Sequence, residues 1–188
     1  MISLMSNREN NTALITIDVQ EGFRDLYWGP RNNPRCEENI ETLLGLWRVQ
    51  GWPVVHVQHS SLEEESPLRP DRKGFAFMDF VNPQQGETLV SKTVNSAFIG
   101  TDLEKSLKLN RISALVFVGL TSDHCVSTSC RMASNLGFDC KIVADATATF
   151  ERRMKDKVFP AELVHHVSLA SLSGEFAKIV STKDLLGH

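Results

Sequence analysis

Ala114-Leu-Val-Phe-Val-Gly-Leu-Thr-Ser-Asp-His-Cys-Val126 decides the reading of this chain. Ala114 to Val118 is a fully apolar run of strand length, and Gly119 to His124 separate it from a helical stretch. The helix is expected from about Asp123 to Leu136, with Gly137 as its left-handed stop. Cys125 therefore stands at a helix N-terminus, where unpaired N–H groups and about half a positive charge favour an anion. On that ground its thiol pKa is expected to fall, and the thiolate is the nucleophile.

The same alternation of strand and helix continues on both sides. Thr12 to Asp18 reads as a first strand, β-branched and apolar. Glu38 to Gln50 places Ile40, Leu43, Leu44, Leu46 and Trp47 at helical spacing, and Gly51 ends it. Pro53 to Gln58 is a second strand, with proline first, where a lost N–H costs little. Thr88 to Ser91 is a short third strand, and Asp102 to Leu109 a helix capped by Thr101. Lys141 to Ala144, a helix at Ala161 to Leu172, and Ala177 to Ser181 complete the series. Six apolar strands separated mostly by helices predict an α/β protein, a three-layer α/β/α sandwich around a mainly parallel sheet. The irregular stretch from Ser60 to Gln85 is expected to be a lid or binding loop.

In parallel sheets, functional groups collect beyond the carboxyl ends of the strands. Asp18 ends the first strand, Lys92 follows the third and Cys125 follows the fourth, so all three belong to one sheet edge.

Composition narrows the function. At 188 residues, 41% apolar and net charge −3, the chain fits one domain over residues 1–188, without a charge signal for nucleic acid or membrane. Met1 to Arg8 lacks a basic start followed by a long apolar core, so a cytoplasmic protein is expected. No apolar stretch approaches the roughly 18 residues of a membrane span. The four cysteines (Cys36, Cys125, Cys130, Cys140) are irregularly spaced and form no Cys-x-x-Cys pair, against both a disulfide framework and a zinc cage. Neither Gly-x-Gly-x-x-Gly nor a P-loop occurs, which disfavours nucleotide binding.

Three segments in order resemble the isochorismatase-like cysteine hydrolases: Asp18-Val-Gln-Glu-Gly-Phe23, Lys92-Thr-Val-Asn-Ser-Ala-Phe-Ile-Gly-Thr101 and Gly119-Leu-Thr-Ser-Asp-His-Cys-Val-Ser-Thr128. Gly137-Phe138 and Val143-Ala-Asp-Ala146 are also similar to the family. The resemblance implies a doubly wound, Rossmann-like sheet of order 3-2-1-4-5-6. It implies Asp18 as general base, Lys92 as polarising cation and Cys125 as nucleophile. It further implies an oxyanion hole from the N–H groups of Thr121 and Cys125, and a non-proline cis peptide at Leu120–Thr121. No cofactor is implied, and a homo-oligomer (dimer or tetramer) acting on a small-molecule substrate is expected.

With strand three two positions from strand one, about 10 Å away, Lys92 must reach inward along its stem. Gln20, Phe23, Trp28, His59 and Phe98 are candidate pocket residues, with Tyr27 as a further aromatic wall. Some nicotinamidases of the superfamily hold a metal through Asp and His. Here His56 and His59 are an odd number apart, on opposite strand faces, and the Asp-x-His pattern is absent, so no metal is expected. Asp123 would oppose thiol ionisation if it pointed inward. Glu63-Glu-Glu65 and Arg152 to Lys157 read as surface, the latter as a turn, and one of His165 and His166 as exposed. Amide-type C–N hydrolysis through a thioester is the activity expected; vinyl-ether hydrolysis is the alternative enzyme activity, and thiol-based binding or redox sensing the alternative from another class.

Overall fold

The computed structural model describes residues 11–187, so the segment Met1 to Arg8 lies outside the described residues. Six strands form one parallel sheet: β1 (Thr12–Ile17), β2 (Val54–His59), β3 (Thr88–Lys92), β4 (Ala114–Leu120), β5 (Asp139–Ala148) and β8 (Lys178–Val180). Their order is β3-β2-β1-β4-β5-β8. The expected arrangement is present, with the sixth position taken by the eighth strand of the chain. The extra pair is β6 (Arg152–Met154) and β7 (Lys157–Phe159), an antiparallel hairpin where a plain surface turn was expected. Three-residue strands this rich in charge carry no apolar alternation, so nothing in the pattern announces them.

Helices α1 (Cys36–Gln50) and α5 (Thr182–Leu186) cover one face; α2 (Leu103–Leu109), α3 (Cys125–Asn135) and α4 (Ala161–Leu172) cover the other. Strand alternation builds both cores. Ala13, Ile15 and Ile17 of β1 join Leu115 and Phe117 of β4 beneath α3, while Leu14, Val116, Val118 and Leu120 face α1. Each of the larger side chains among these, Leu, Ile, Val and Phe, contributes about 1.5–3 kcal/mol once buried. Gly51 stops α1 in the left-handed conformation, at φ 67°. Asp102, not Thr101, occupies the cap position of α2, though the Thr101 hydroxyl still accepts from Leu103 N–H at 3.4 Å.

Two close approaches shape the carboxyl edge. The β4–β5 register runs Phe117↔Ile142 and then jumps to Gly119↔Thr147, so β5 carries extra residues while β4 keeps its register with β1 as far as Ile17↔Gly119. Farther out, the stretch 60–85 packs against the turn Glu21–Arg24. A β-carbon on Gly74 would lie 2.7 Å from the Gly22 α-carbon and 2.5 Å from the Pro67 carbonyl oxygen. Glu21 N–H donates to Ala76 O, and Met78 N–H to Val19 O. That loop is thus built into the body of the protein along much of its length.

Among the described residues no helix is long and apolar enough to cross a membrane.

Candidate active site

Asp18 is the first residue past β1 and adopts φ 51°, a left-handed conformation that Asp tolerates better than most residues. Its N–H donates to Val57 O at 2.9 Å, which fixes the turn against β2. Lys92 closes β3, directly beside His59 in the β2–β3 register. Its buried side chain crosses above β2, and Nζ lies 2.7 Å from Asp18 Oδ2, 2.9 Å from His59 Nδ1 and 3.3 Å from Cys125 Sγ. The reach across two strand positions is therefore made by the stem.

Cys125 opens α3 and is 8% exposed. Its Sγ also lies 3.9 Å from Asn95 Oδ1. The peptide Leu120–Thr121 is cis. The N–H groups of Thr121 and Cys125 donate to no other described residue. Two buried oxygens also lack a partner, Asp18 Oδ1 and Thr121 Oγ1. Buried polar atoms are rarely left unsatisfied, so these groups, all belonging to residues that line one cavity, mark a place for an incoming polar molecule.

Electrostatics correct one expectation. Burial pushes the Cys125 thiol well above the ordinary range, and the Asp18 carboxylate pushes it further, while Lys92 pulls it down without prevailing. The free site therefore holds a protonated thiol, since desolvation and the Asp18 carboxylate together outweigh Lys92. Burial, with Lys92 beside it, lowers the His59 pKa, so its ring is neutral at pH 7 and accepts from the ammonium. Asp18, His59 and Cys125 offer ligand atoms within 4.8 Å of one another, and the Lys92 ammonium stands among them.

Asp123 turns away from the thiol. Burial would raise its pKa, but hydrogen bonds from Arg152 and Thr149 hold it below the usual carboxylate range. Arg152 Nε sits 2.7 Å from Asp123 Oδ2, so the hairpin grips the turn that carries the nucleophile. On the other side of that turn, buried His165 bonds Ser122 Oγ at 2.9 Å, while His166 is exposed.

A cavity of about 230 Å³ opens above Asp18 and Cys125. Phe23, Trp28 and His59 line it, together with Asn95, Thr121 and His124. Ser61, Glu63, Ser66 and Leu68 complete the wall from the long loop. Two anticipated pocket residues lie elsewhere. Phe98 is packed in the core, its ring 6.2 Å from that of Phe138. Gln20 is a strut: its amide donates to His59 O and Phe75 O and accepts from His59 N–H. Tyr27 packs edge-on against Trp28 and is largely exposed. Asn95 lay inside the quoted lysine segment and could have been singled out. The loop residues carried no signal, because no periodicity links them to the strands they approach. His56 sits apart from His59, bonded to Thr16 Oγ1 and Glu87.

The isochorismatase domain model matches residues 12–184. An uncharacterized isochorismatase family protein of Bacillus subtilis, YrdC, is 49% identical over 95% of this chain and 96% of its own. The ureidoacrylate amidohydrolase RutB of Agrobacterium fabrum is 38% identical over 74% of this chain and 77% of its own. A crystal structure of an isochorismatase-family protein from Chromobacterium violaceum superposes with a TM-score of 0.90 at 39% identity, covering 94% of this chain and 92% of its own. The chain belongs to the isochorismatase family of hydrolases.

Proposed function

We propose that the protein is a cofactor-independent cysteine hydrolase that cleaves a small-molecule amide-type C–N bond through a thioester. The observation that supports this most is the Lys92 ammonium held 2.7 Å from Asp18 and 3.3 Å from Cys125, with Asp18 Oδ1 left without a partner. A base with a free oxygen beside a protonated thiol suits proton transfer at the moment of attack. Sγ bonds to the amide carbon as its proton passes to Asp18. The carbonyl oxygen gains the negative charge and takes hydrogen bonds from Thr121 and Cys125 N–H. Collapse breaks the C–N bond, and the amine leaves with the proton from Asp18. Water, deprotonated by Asp18, then attacks the thioester, and the thiolate leaves and is reprotonated. Lys92 holds Asp18 in place and stabilises the sulfur anion while it exists.

The name of the ureidoacrylate amidohydrolase relative favours the C–N reading over vinyl-ether hydrolysis. Redox-sensing cysteines are accessible and of low pKa. Cys125 is buried and its pKa is raised, which weighs against that role.

The test is an amide-library screen read by intact mass. Wild type is expected to release amine and to show a transient acyl adduct, absent in Cys125→Ala; Asp18→Asn is expected to lose turnover while keeping the fold at reduced stability. An adduct that persists in Cys125→Ala, or full activity in Asp18→Asn, refutes the mechanism.

A further inference from the structure

The charges around the cavity above Cys125 are unbalanced in one direction. The Lys92 ammonium is already spent on Asp18, His59 and Cys125. Arg152, near the rim residue His124, is locked to Asp123 through two hydrogen bonds. Burial lowers the pKa of His59 and of His124, so neither ring carries charge at pH 7. One acid, Glu63, stands solvent-exposed at the cavity's rim and has no ion-pair partner among the described residues. Its backbone is fixed on both sides, with its N–H donating to Ser61 Oγ and its carbonyl accepting from Ser66 N–H. The neighbouring Arg72 is directed instead to the carbonyls of Glu64 and Glu65.

We propose that this cavity selects a small amide whose non-reacting end is cationic, with Glu63 as the residue that receives that charge. An anionic end would be desolvated there without a cation to pair with, which is costly. A cationic end gains the carboxylate. Trp28 lines the same cavity, fixed by its Nε1–H donating to Gly22 O at 2.8 Å and by packing against Phe23, Tyr27 and Phe150. The inference rests on the thiol-hydrolase reading, because it takes the space above Cys125 to be the substrate's.

Three methanethiosulfonates test it: the neutral methyl reagent, the 2-(trimethylammonium)ethyl cation and the 2-sulfonatoethyl anion. In each, the thiolate sulfur attacks the sulfenyl sulfur, a disulfide forms and methanesulfinate leaves. Rates at Cys125, followed by intact mass with Cys125→Ala as control, are normalised to those of free 2-mercaptoethanol. Wild type is expected to prefer the cation over the anion about tenfold at low salt. Glu63→Gln should reduce that ratio several-fold, and Glu63→Lys should bring it below one. A normalised ratio of one or less in wild type, or one that Glu63→Gln leaves unchanged, overturns the inference while leaving the thiol mechanism standing. Failure of the neutral reagent to modify Cys125 removes the thiol reading itself, and this inference with it.

Discussion

Gly119 approaches Ile17 so closely that a β-carbon on it would lie 2.1 Å from the Ile17 carbonyl oxygen. Gly119 also has φ 113°, which side-chain-bearing residues rarely adopt. The contact brings the end of β4 against the end of β1, the strands that lead into Thr121 and Asp18 of one cavity. Gly119→Ala is expected to cost about 3 kcal/mol or more, from overpacking and backbone strain together. Its denaturation midpoint should fall and kcat/KM should drop by more than the loss of folded protein explains. A variant with wild-type midpoint and activity would show that the close approach is dispensable.

Removing one partner of the buried Lys92–Asp18 pair leaves the other charge without compensation. Lys92→Met should therefore lose about 3–5 kcal/mol along with turnover. Adding Asp18→Asn to it should restore most of the stability and none of the activity. Chemical denaturation of the single and double variants measures this. If the double variant is no more stable than Lys92→Met, the pair is not the source of the loss.

Buried thiols give the protein an alkaline limit. Burial raises the Cys36 pKa from 9.0 to about 12, with nearby Arg31 only partly opposing it. Between those values the folded chain keeps a proton that the unfolded chain releases, so stability falls as pH rises above about 9. The slope is at most about 1.4 kcal/mol per pH unit for each such thiol. Cys36→Ala should flatten the decline between pH 9 and pH 11 in urea midpoints. Equal slopes for variant and wild type would refute the assignment.

The hairpin's grip on the nucleophile turn gives a separate pH signature. Asp123 has a depressed pKa in the folded state, so its contribution is present above the ordinary carboxylate pKa and is lost as pH falls through the lower folded value. Arg152→Gln should therefore cost about 1–2 kcal/mol at pH 7. The difference from wild type should shrink toward pH 3, and kcat/KM at pH 7 should fall several-fold as the turn loosens. A stability gap that stays constant across this range would exclude the ion pair as its cause.

Much of the arrangement was legible because strands and helices write their periods into the chain. The run Ala114–Val118 and the helical spacing from Ile40 to Trp47 placed two of the layers, and three polar residues at strand ends located the edge where they meet. The thiol's ionisation was misjudged for a physical reason. A helix terminus can be read from sequence, whereas the depth at which Cys125 lies, and the carboxylate facing it, arise only from packing. Phe98 and Gln20 were both assigned to the pocket for similar reasons, since motif membership does not say which way a side chain points. The stretch from Ser60 to Gln85 was legible as a binding loop, but not which of its residues reach the cavity, because the positions of 61–68 depend on contacts with the turn at 21–24.

The meeting of Gly22 with Gly74 bears on how this protein could acquire new substrates. Two main chains touching with only hydrogens between them leave no slack for hinge-like motion, so that side of the chamber behaves as masonry. Lengthening or shortening the segment would break the seam before it widened the room. Change of preference is accordingly expected to come from exchanging the side chains at Ser61, Glu63, Ser66 and Leu68 on an unaltered frame.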